Sequence, residues 1–173
     1  MFGVRHTGRM TDQPKKGLAG KLTSAMDSPP PGSFGFWLVK QGANLNTLLY
    51  RVTKGKVGGT YDGAPVVLVH HIGAKSGEAR VAPVVYLADG DDVIIVASYG
   101  GAPKSPAWFH NLKANPDTKM ELRGETIPVR AEVVAEPERS ELWTRVVQLY
   151  PAFADYQRKT ERIIPIVRLR PTS

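Results

Sequence analysis

From about Gly63 onward, apolar residues either alternate with polar ones or run together in short Val-rich blocks. That period of two predicts strands. The first covers residues 65–71, the second 79–87, and an Asp89-Gly90-Asp91 turn leads into a third over 92–98. Residues 119–122 and 127–134 follow around a turn at Gly124, and 163–169 closes the set. Helical spacing interrupts the alternation late in the chain. Ser105 and Pro106 read as the N-cap and first position of a short helix over 106–113, stopped by Asn115 and Pro116. Pro137 opens a second helix to about Leu149, and Pro151 restarts a third. Six strands with helices inserted late predict a mainly β fold, a barrel with flanking helices, because a βαβ sheet would alternate strand with helix throughout.

The first 33 residues carry little periodic apolar content and include Pro29-Pro30-Pro31-Gly32. They predict a mobile tail, with 34–173 as a single domain and Met10 as an alternative start. After Ser33, a possible cap, Phe34, Trp37, Leu38, Leu45, Leu48, Leu49 and Val52 recur at helical spacing, interrupted by Gly42. Two readings fit: a helix packed over the barrel, or an interfacial segment in which Phe34, Phe36 and Trp37 with Lys40, Arg51, Lys54 and Lys56 meet anionic lipid.

Composition narrows the partners. The 173 residues suit one domain with a real core. There is no cysteine, so disulfides, thiolate metal sites and cysteine nucleophiles are excluded. A net charge of +7 calls for something anionic: nucleic acid, a membrane surface or an acidic cofactor. The cations are scattered and no nucleic-acid motif is present, so no nucleic-acid partner is expected. Runs such as APVVLV and VIIVA fall far short of the roughly 20 residues that span a bilayer. With no signal-peptide core either, the expected location is cytoplasmic, with peripheral membrane contact through the N-terminal region as the exception. His70 and His71 are neighbours in a predicted strand and point to opposite faces. No metal site is expected.

The chemistry concentrates between Gly73 and Asn115. Lys75, Ser76, Gly77 and Arg80 form a tight turn whose backbone donors and long cations suit phosphate or carboxylate oxygens. It is not a P-loop, since Gly77 and then VAPVVYL follow Lys75-Ser76 where a P-loop leads into a helix. An ordinary hairpin turn with solvated charges fits the same residues.

The order GAKSGEARVAPVVY, VIIVASYGG, KSPAWFHNLKANP, then LYPAFADYQ and RIIPIVRL resembles the deazaflavin-dependent nitroreductase and quinone reductase family, from about Asn44 to Pro171. The resemblance implies a six-stranded split β-barrel of the flavin-reductase and pyridoxamine phosphate oxidase-like kind. It implies reduced coenzyme F420, an 8-hydroxy-5-deazaflavin with an anionic tail, as hydride donor to a quinone or nitroaromatic acceptor. On the family pattern Lys75, Ser76 and Arg80 hold the phosphate and tail, with Ala82 and Pro83 beside them. Val96, Ala97, Ser98, Tyr99, Gly100 and Gly101 lie along the ring, where glycines allow close approach, and Ala107 and Trp108 lie near the cofactor's body. Tyr150 and Tyr156 match acceptor-side positions and, with Ser98, are the candidate catalytic residues. Their spacing with Phe153 equally suits core packing. Phe153 stands where some members that reduce bulky nitroimidazoles have tyrosine, Tyr99 where a basic residue is frequent, and Ala74 where Arg is frequent. A flavin mononucleotide reductase of the same fold, or a non-catalytic ligand carrier, remains an alternative, and the oligomeric state is open.

Overall fold

The computed structural model describes residues 58–172 together with Thr47, Leu48, Tyr50, Arg51, Val52, Thr53 and Gly55. The expected tail and most of the expected 34–52 helix lie outside the described residues. Thr47, Leu48, Tyr50, Arg51 and Val52 are helical.

Among the described residues the elements run β1 (Thr60–Tyr61), β2 (Ala64–Ile72), β3 (Ala79–Asp89), β4 (Asp92–Val96), α1 (Ala107–Ala114), β5 (Asp117–Leu122), β6 (Glu125–Val133), α2 (Glu138–Leu149), α3 (Ala152–Arg158) and β7 (Ile166–Pro171). All pairings are antiparallel in the order β1-β2-β3-β4-β7-β6-β5. A further pairing of β2 with β5, Leu68↔Glu121 and Val69↔Met120, closes strands β2 to β7 into the expected six-stranded barrel. β1 is a two-residue spur on β2, too short to leave a periodic signal.

Alternation along the strands builds two apolar layers. Val67, Val69, Tyr86, Val93, Ile95, Val129, Val167 and Leu169 fill the barrel with Phe109 and Leu112 of α1. The opposite face of β4, with Ile94 and Val96, is covered by Leu142 and Val146 of α2, Tyr150, and Phe153 of α3. Helices α2 and α3 are therefore the lid of an outer layer that the barrel cannot cover by itself.

Three element ends differ from the sequence expectation. Strand β4 stops at Val96 and not at residue 98, although the Ala97 N–H still donates to Pro165 O at 2.9 Å. Strand β7 begins at Ile166 and not at 163: Pro165 has no N–H to give the ladder, and Ile163 is 71 % exposed. Helix α1 begins at Ala107 with extended Pro106 as N-cap. Ser105 does not cap it, because its hydroxyl accepts from Arg162 Nη1 at 3.3 Å.

Glu121 fastens the helical residues before β1 to the barrel. Its carboxylate accepts from Arg51 Nε at 2.9 Å and Nη2 at 2.6 Å, and lies 2.6 Å from His70 Nε2. The buried Tyr50 hydroxyl donates to the Glu121 carbonyl at 3.1 Å and accepts from the Arg123 N–H at 3.2 Å. The Arg51 hydrogen bond holds the Glu121 carboxyl below its ordinary range despite partial burial. A depressed carboxyl stabilises the fold above its unfolded pKa, and that contribution disappears as pH falls through the folded pKa. Glu121→Gln is expected to lower Tm at pH 7 by roughly 2–6 °C. The gap should close below about pH 4 in thermal melts, and a gap that persists at lower pH would show that the contact is not ionic.

Candidate functional site

Strand β4 pairs with β3 only over Tyr86–Asp89, so the first half of β3 has β2 as a partner on one side alone. The barrel wall is split there. Pro83 lies in this half, paired to Leu68, where a missing N–H breaks no second ladder. The loop over 73–78 leads into this half of β3, helix α1 packs on β2, and helix α3 packs on the turn Tyr99–Gly101 that follows β4.

The 73–78 loop is tightly held at its base. The Gly73 N–H donates to Glu78 O and the Gly77 N–H to Gly73 O, both at 2.8 Å, and Gly77 takes φ +69°, a conformation suited to glycine. The Ala74 N–H donates to Asn111 Oδ1 at 2.9 Å, and Asn111 Nδ2 donates to His71 Nδ1 at 2.9 Å. Both ends of a buried amide are thus used, pinning the loop to α1 and to the end of β2. Burial, then the charges of Arg80 and His70, push the His71 pKa down, so the ring is neutral and accepts at Nδ1. What the loop leaves over is anion-binding capacity. The N–H groups of Lys75 and Ser76 take no partner among the described residues, and Lys75 is exposed. Among the described residues Arg80 pairs with Glu78 alone, at 2.6 Å, both well exposed. An exposed pair of this kind is worth little and yields readily to a multiply charged ligand.

The ring-side segment divides between the two layers. Val96 belongs to the outer layer with Tyr150, Phe153 and Tyr156, whereas Ala97 belongs to the barrel interior, on which Trp108 packs. By the same alternation Ala82 faces with interior Val84 and Pro83 with outer Val85. Ala107 is exposed at the start of α1. Ser98 is only 9 % exposed, and its hydroxyl has no partner among the described residues, while its carbonyl accepts from the Gly101 N–H at 3.0 Å. Tyr99 is 40 % exposed at φ +49°, a rare conformation for a side chain of that size. Gly101 has another reason for its small size than room for a ring. A Cβ there would meet Tyr156 O at 2.6 Å and Lys159 Cβ at 2.9 Å, so this glycine lets the turn press against α3.

The aromatic side is one edge-on stack. Tyr61 and Tyr150 have ring centroids 6.2 Å apart, Tyr150 and Phe153 5.1 Å, and Phe153 and Tyr156 6.3 Å. Tyr150 is 7 % exposed. Burial first, then its hydrogen bond with Tyr156, push its hydroxyl pKa far up, so it stays protonated.

Lys75, Ser76 and Arg80 thus share the loop and its base, and Val96, Tyr150 and Tyr156 share the outer layer; Ala97 and Trp108 lie behind them in the barrel. Sequence reading missed Asn111, His71, Tyr61 and Arg162. Asn111 carried a usable signal, a polar residue two positions from Phe109 and next to Leu112 on a helix that packs its apolar side inward. Arg162 carried none, because its partners lie about 60 positions away in sequence.

A closed six-stranded antiparallel barrel, split beside a cationic loop and covered by an aromatic helix pair, is the frame of a cofactor-dependent reductase. The family model for F420H(2)-dependent quinone reductase matches residues 43–171, and the chain belongs to that family. An F420H(2)-dependent quinone reductase of Mycobacterium tuberculosis is 41% identical over 130 residues, covering 72% of this chain and 87% of the relative. Among solved structures, one described as an F420-H2 dependent reductase is 37% identical at TM-score 0.57, covering 61% of this chain and 94% of that one. Another, described as a domain-swapped dimer, is 33% identical at TM-score 0.59 and covers 80% of this chain and all of that one. No helix among the described residues is long and apolar enough to cross a membrane.

The contact at Gly101 is testable. Gly101→Ala is expected to cost roughly 1–3 kcal/mol in urea melts, from backbone strain together with the clash on Tyr156. Gly77→Ala, at similar φ but with nothing within 4 Å of the added carbon, should cost less. Equal losses would mean that α3 moves freely away from the turn.

Proposed function

We propose that this protein reduces a quinone with hydride taken from reduced coenzyme F420. The observation that carries the reading is the 73–78 loop: two N–H groups without partners among the described residues, with exposed Lys75 and weakly engaged Arg80, sit on a base rigidly held by Asn111. That donor set fits an anionic tail, and the family's cofactor has one. When bound, the reduced deazaflavin supplies the hydride. The protein's own residues position and exclude. Lys75, Ser76 and Arg80 hold the tail, while Pro83 and Ser98 line the split, with Ala82, Val96, Ala97, Gly100, Ala107 and Trp108 supporting it from behind and beside.

Tyr150 and Tyr156 face the acceptor. With Tyr150 held neutral, one hydroxyl proton of the pair makes the Tyr150–Tyr156 hydrogen bond and the other is donated to an acceptor oxygen, where it steadies the growing charge. A hydroxyl whose pKa is pushed up is a poor acid, so the proton that completes reduction comes from water. Phe153, 4 % exposed between the two tyrosines, brings no hydroxyl to this face. That favours a quinone over a bulky nitroaromatic that needs a third donor. Exposed Leu48 and Val52, four positions apart beside Arg51, support peripheral lipid contact, where a lipid-soluble quinone partitions.

Titration with oxidised coenzyme F420 and with flavin mononucleotide, followed by turnover with menadione, tests the reading. Deazaflavin binding with acceptor-dependent oxidation is expected. Preference for flavin mononucleotide would favour a flavin reductase, and binding without turnover a carrier. Arg80→Ala should weaken coenzyme F420 binding by about 10-fold, a charge-assisted contact, and leave the tail-free chromophore unaffected. Equal losses for both ligands would remove the loop from the tail site. Tyr150→Phe should lower kcat by about 10-fold or more with little change in cofactor affinity.

A further inference from the structure

The loop from Ala97 to Ser105 and helix α3 form the two walls of the proposed site, and one side chain ties them together. Arg162, in the irregular stretch between α3 and β7, donates from Nε to Ala102 O at 2.9 Å and from Nη2 to Ser98 O at 2.7 Å and Ala97 O at 3.1 Å. Its Nη1 donates to Ser105 Oγ at 3.3 Å. All four acceptors are neutral. No carboxylate among the described residues pairs with this guanidinium, although Arg51, Arg80, Arg130, Arg139, Arg145, Arg158, Arg168 and Arg170 each have one. A half-buried cation given wholly to backbone and hydroxyl oxygens serves shape, because its planar fork fixes several carbonyls at once.

The other end of Arg162 is anchored as well. Gln157 of α3 donates from Nε2 to the Arg162 carbonyl at 2.8 Å and accepts from the Ile164 N–H at 3.0 Å. Gly101 meanwhile presses on the Tyr156 backbone. The loop that carries Ser98 and the helix that carries Tyr156 are thus fastened through Gln157 and Arg162 on one side and through Gly101 on the other.

We infer that Arg162 is a positioning residue for hydride transfer: it fixes the distance between the ring-side loop 97–105 and the tyrosine face of α3 without touching either ligand. The inference rests on the proposed reductase reading for its kinetic consequence only. Hydride transfer depends steeply on approach distance, and a displacement near 1 Å costs on the order of 100-fold. The tail loop lies on a different segment and is held by Asn111, so cofactor affinity is set largely elsewhere.

The test compares wild type with Arg162→Met and Arg162→Lys. Hydrogen exchange without any ligand should show the Gly101 and Ala102 amides, which close the turn onto Ser98 and Tyr99, exchanging about 10-fold faster or more in Arg162→Met. In single turnovers with menadione the hydride-transfer rate should fall by about 10- to 100-fold, and the isotope effect from deuterated reduced cofactor should rise, while Kd for oxidised cofactor stays within about 3-fold. Loss of folded protein alone would lower amplitude and leave the isotope effect unchanged. Arg162→Lys, which keeps the charge but reaches fewer carbonyls, should fall between the two; if Arg162→Met does not fold, it is read by the same measurements. Unchanged exchange at Gly101 and Ala102 would overturn the inference, as would an unchanged rate and isotope effect in a variant of a wild type that turns over. A wild type that binds no deazaflavin would sink the reductase reading, and the exchange measurement would still decide whether Arg162 holds the loop.

Discussion

Closure of the sheet by β2 on β5 is the constraint from which the rest follows. Closure leaves little exposed ladder to defend, but the barrel must be filled from inside, and any apolar residue on its outer face needs separate cover. The Val-rich blocks of β2 and β4 put apolar side chains on both faces. Helix α1 therefore plugs the interior with Phe109 and Leu112, and α2 and α3 lie over Ile94 and Val96 outside. Along the first half of β3 the wall lacks a second neighbour. A flat ligand needs such a place, where apolar wall, backbone edge and flanking loops meet without water-filled regular structure between them.

Charge is distributed with the same asymmetry. Away from the split, Arg168, 9 % exposed, is surrounded by Glu138 at 2.6 Å, Asp92 at 3.0 Å and Asp89 at 3.3 Å, and Arg145 and Arg170 complete the network. The Arg145 hydrogen bond leads in holding Asp89 below its ordinary carboxyl range, and Arg168 does the same for Glu138. Those cations are spent on structure. At the split, Lys75 is exposed, Arg80 has a solvated partner and Arg162 has neutral acceptors. Lys75 and Arg80 are thus left without a buried carboxylate partner where an anionic ligand is proposed to bind, whereas the excess charge of the whole chain comes from the residues before Gly58.

Much of this was legible in the sequence, and what was not has a physical reason. The strands were readable because period-two alternation is local, and the Asp89-Gly90-Asp91 and Gly124 turns were readable because Gly90 and Gly124 sit at positive φ. Ser105 misled because a serine before proline is a good cap in isolation, and only the fold brings Arg162 to its hydroxyl. Lys75 and Arg80 stand out in sequence because they flank a short glycine-bearing turn, and their role toward a ligand is part of the proposal. His71 and Arg162 act through partners distant in sequence, which no window contains, and for Asn111 a window shows a polar residue on an apolar helix face but not its partners. Val96 and Ala97 show the remaining limit: adjacent residues in one motif were assigned one task, yet the pleat sends them to different layers.

Gly101 shows why a motif does not determine the reason for its residues. In a family pattern the pair Gly100-Gly101 reads as room for a ring, and Gly100 at φ +64° is consistent with a turn that only glycine adopts readily. Gly101 also takes positive φ, but its missing side chain is already accounted for by the Tyr156 carbonyl 2.6 Å from where a Cβ would be. The small residue is needed to bring helix and turn together, and the tyrosine it admits is proposed to face the acceptor. Phe153 fits the same logic from the other direction. Stacked edge-on against both Tyr150 and Tyr156, it adds packing to the hydrogen bond that joins their hydroxyls, without a third polar group in the stack. On the proposed reading, the acceptor meets a hydroxyl pair whose spacing the core dictates.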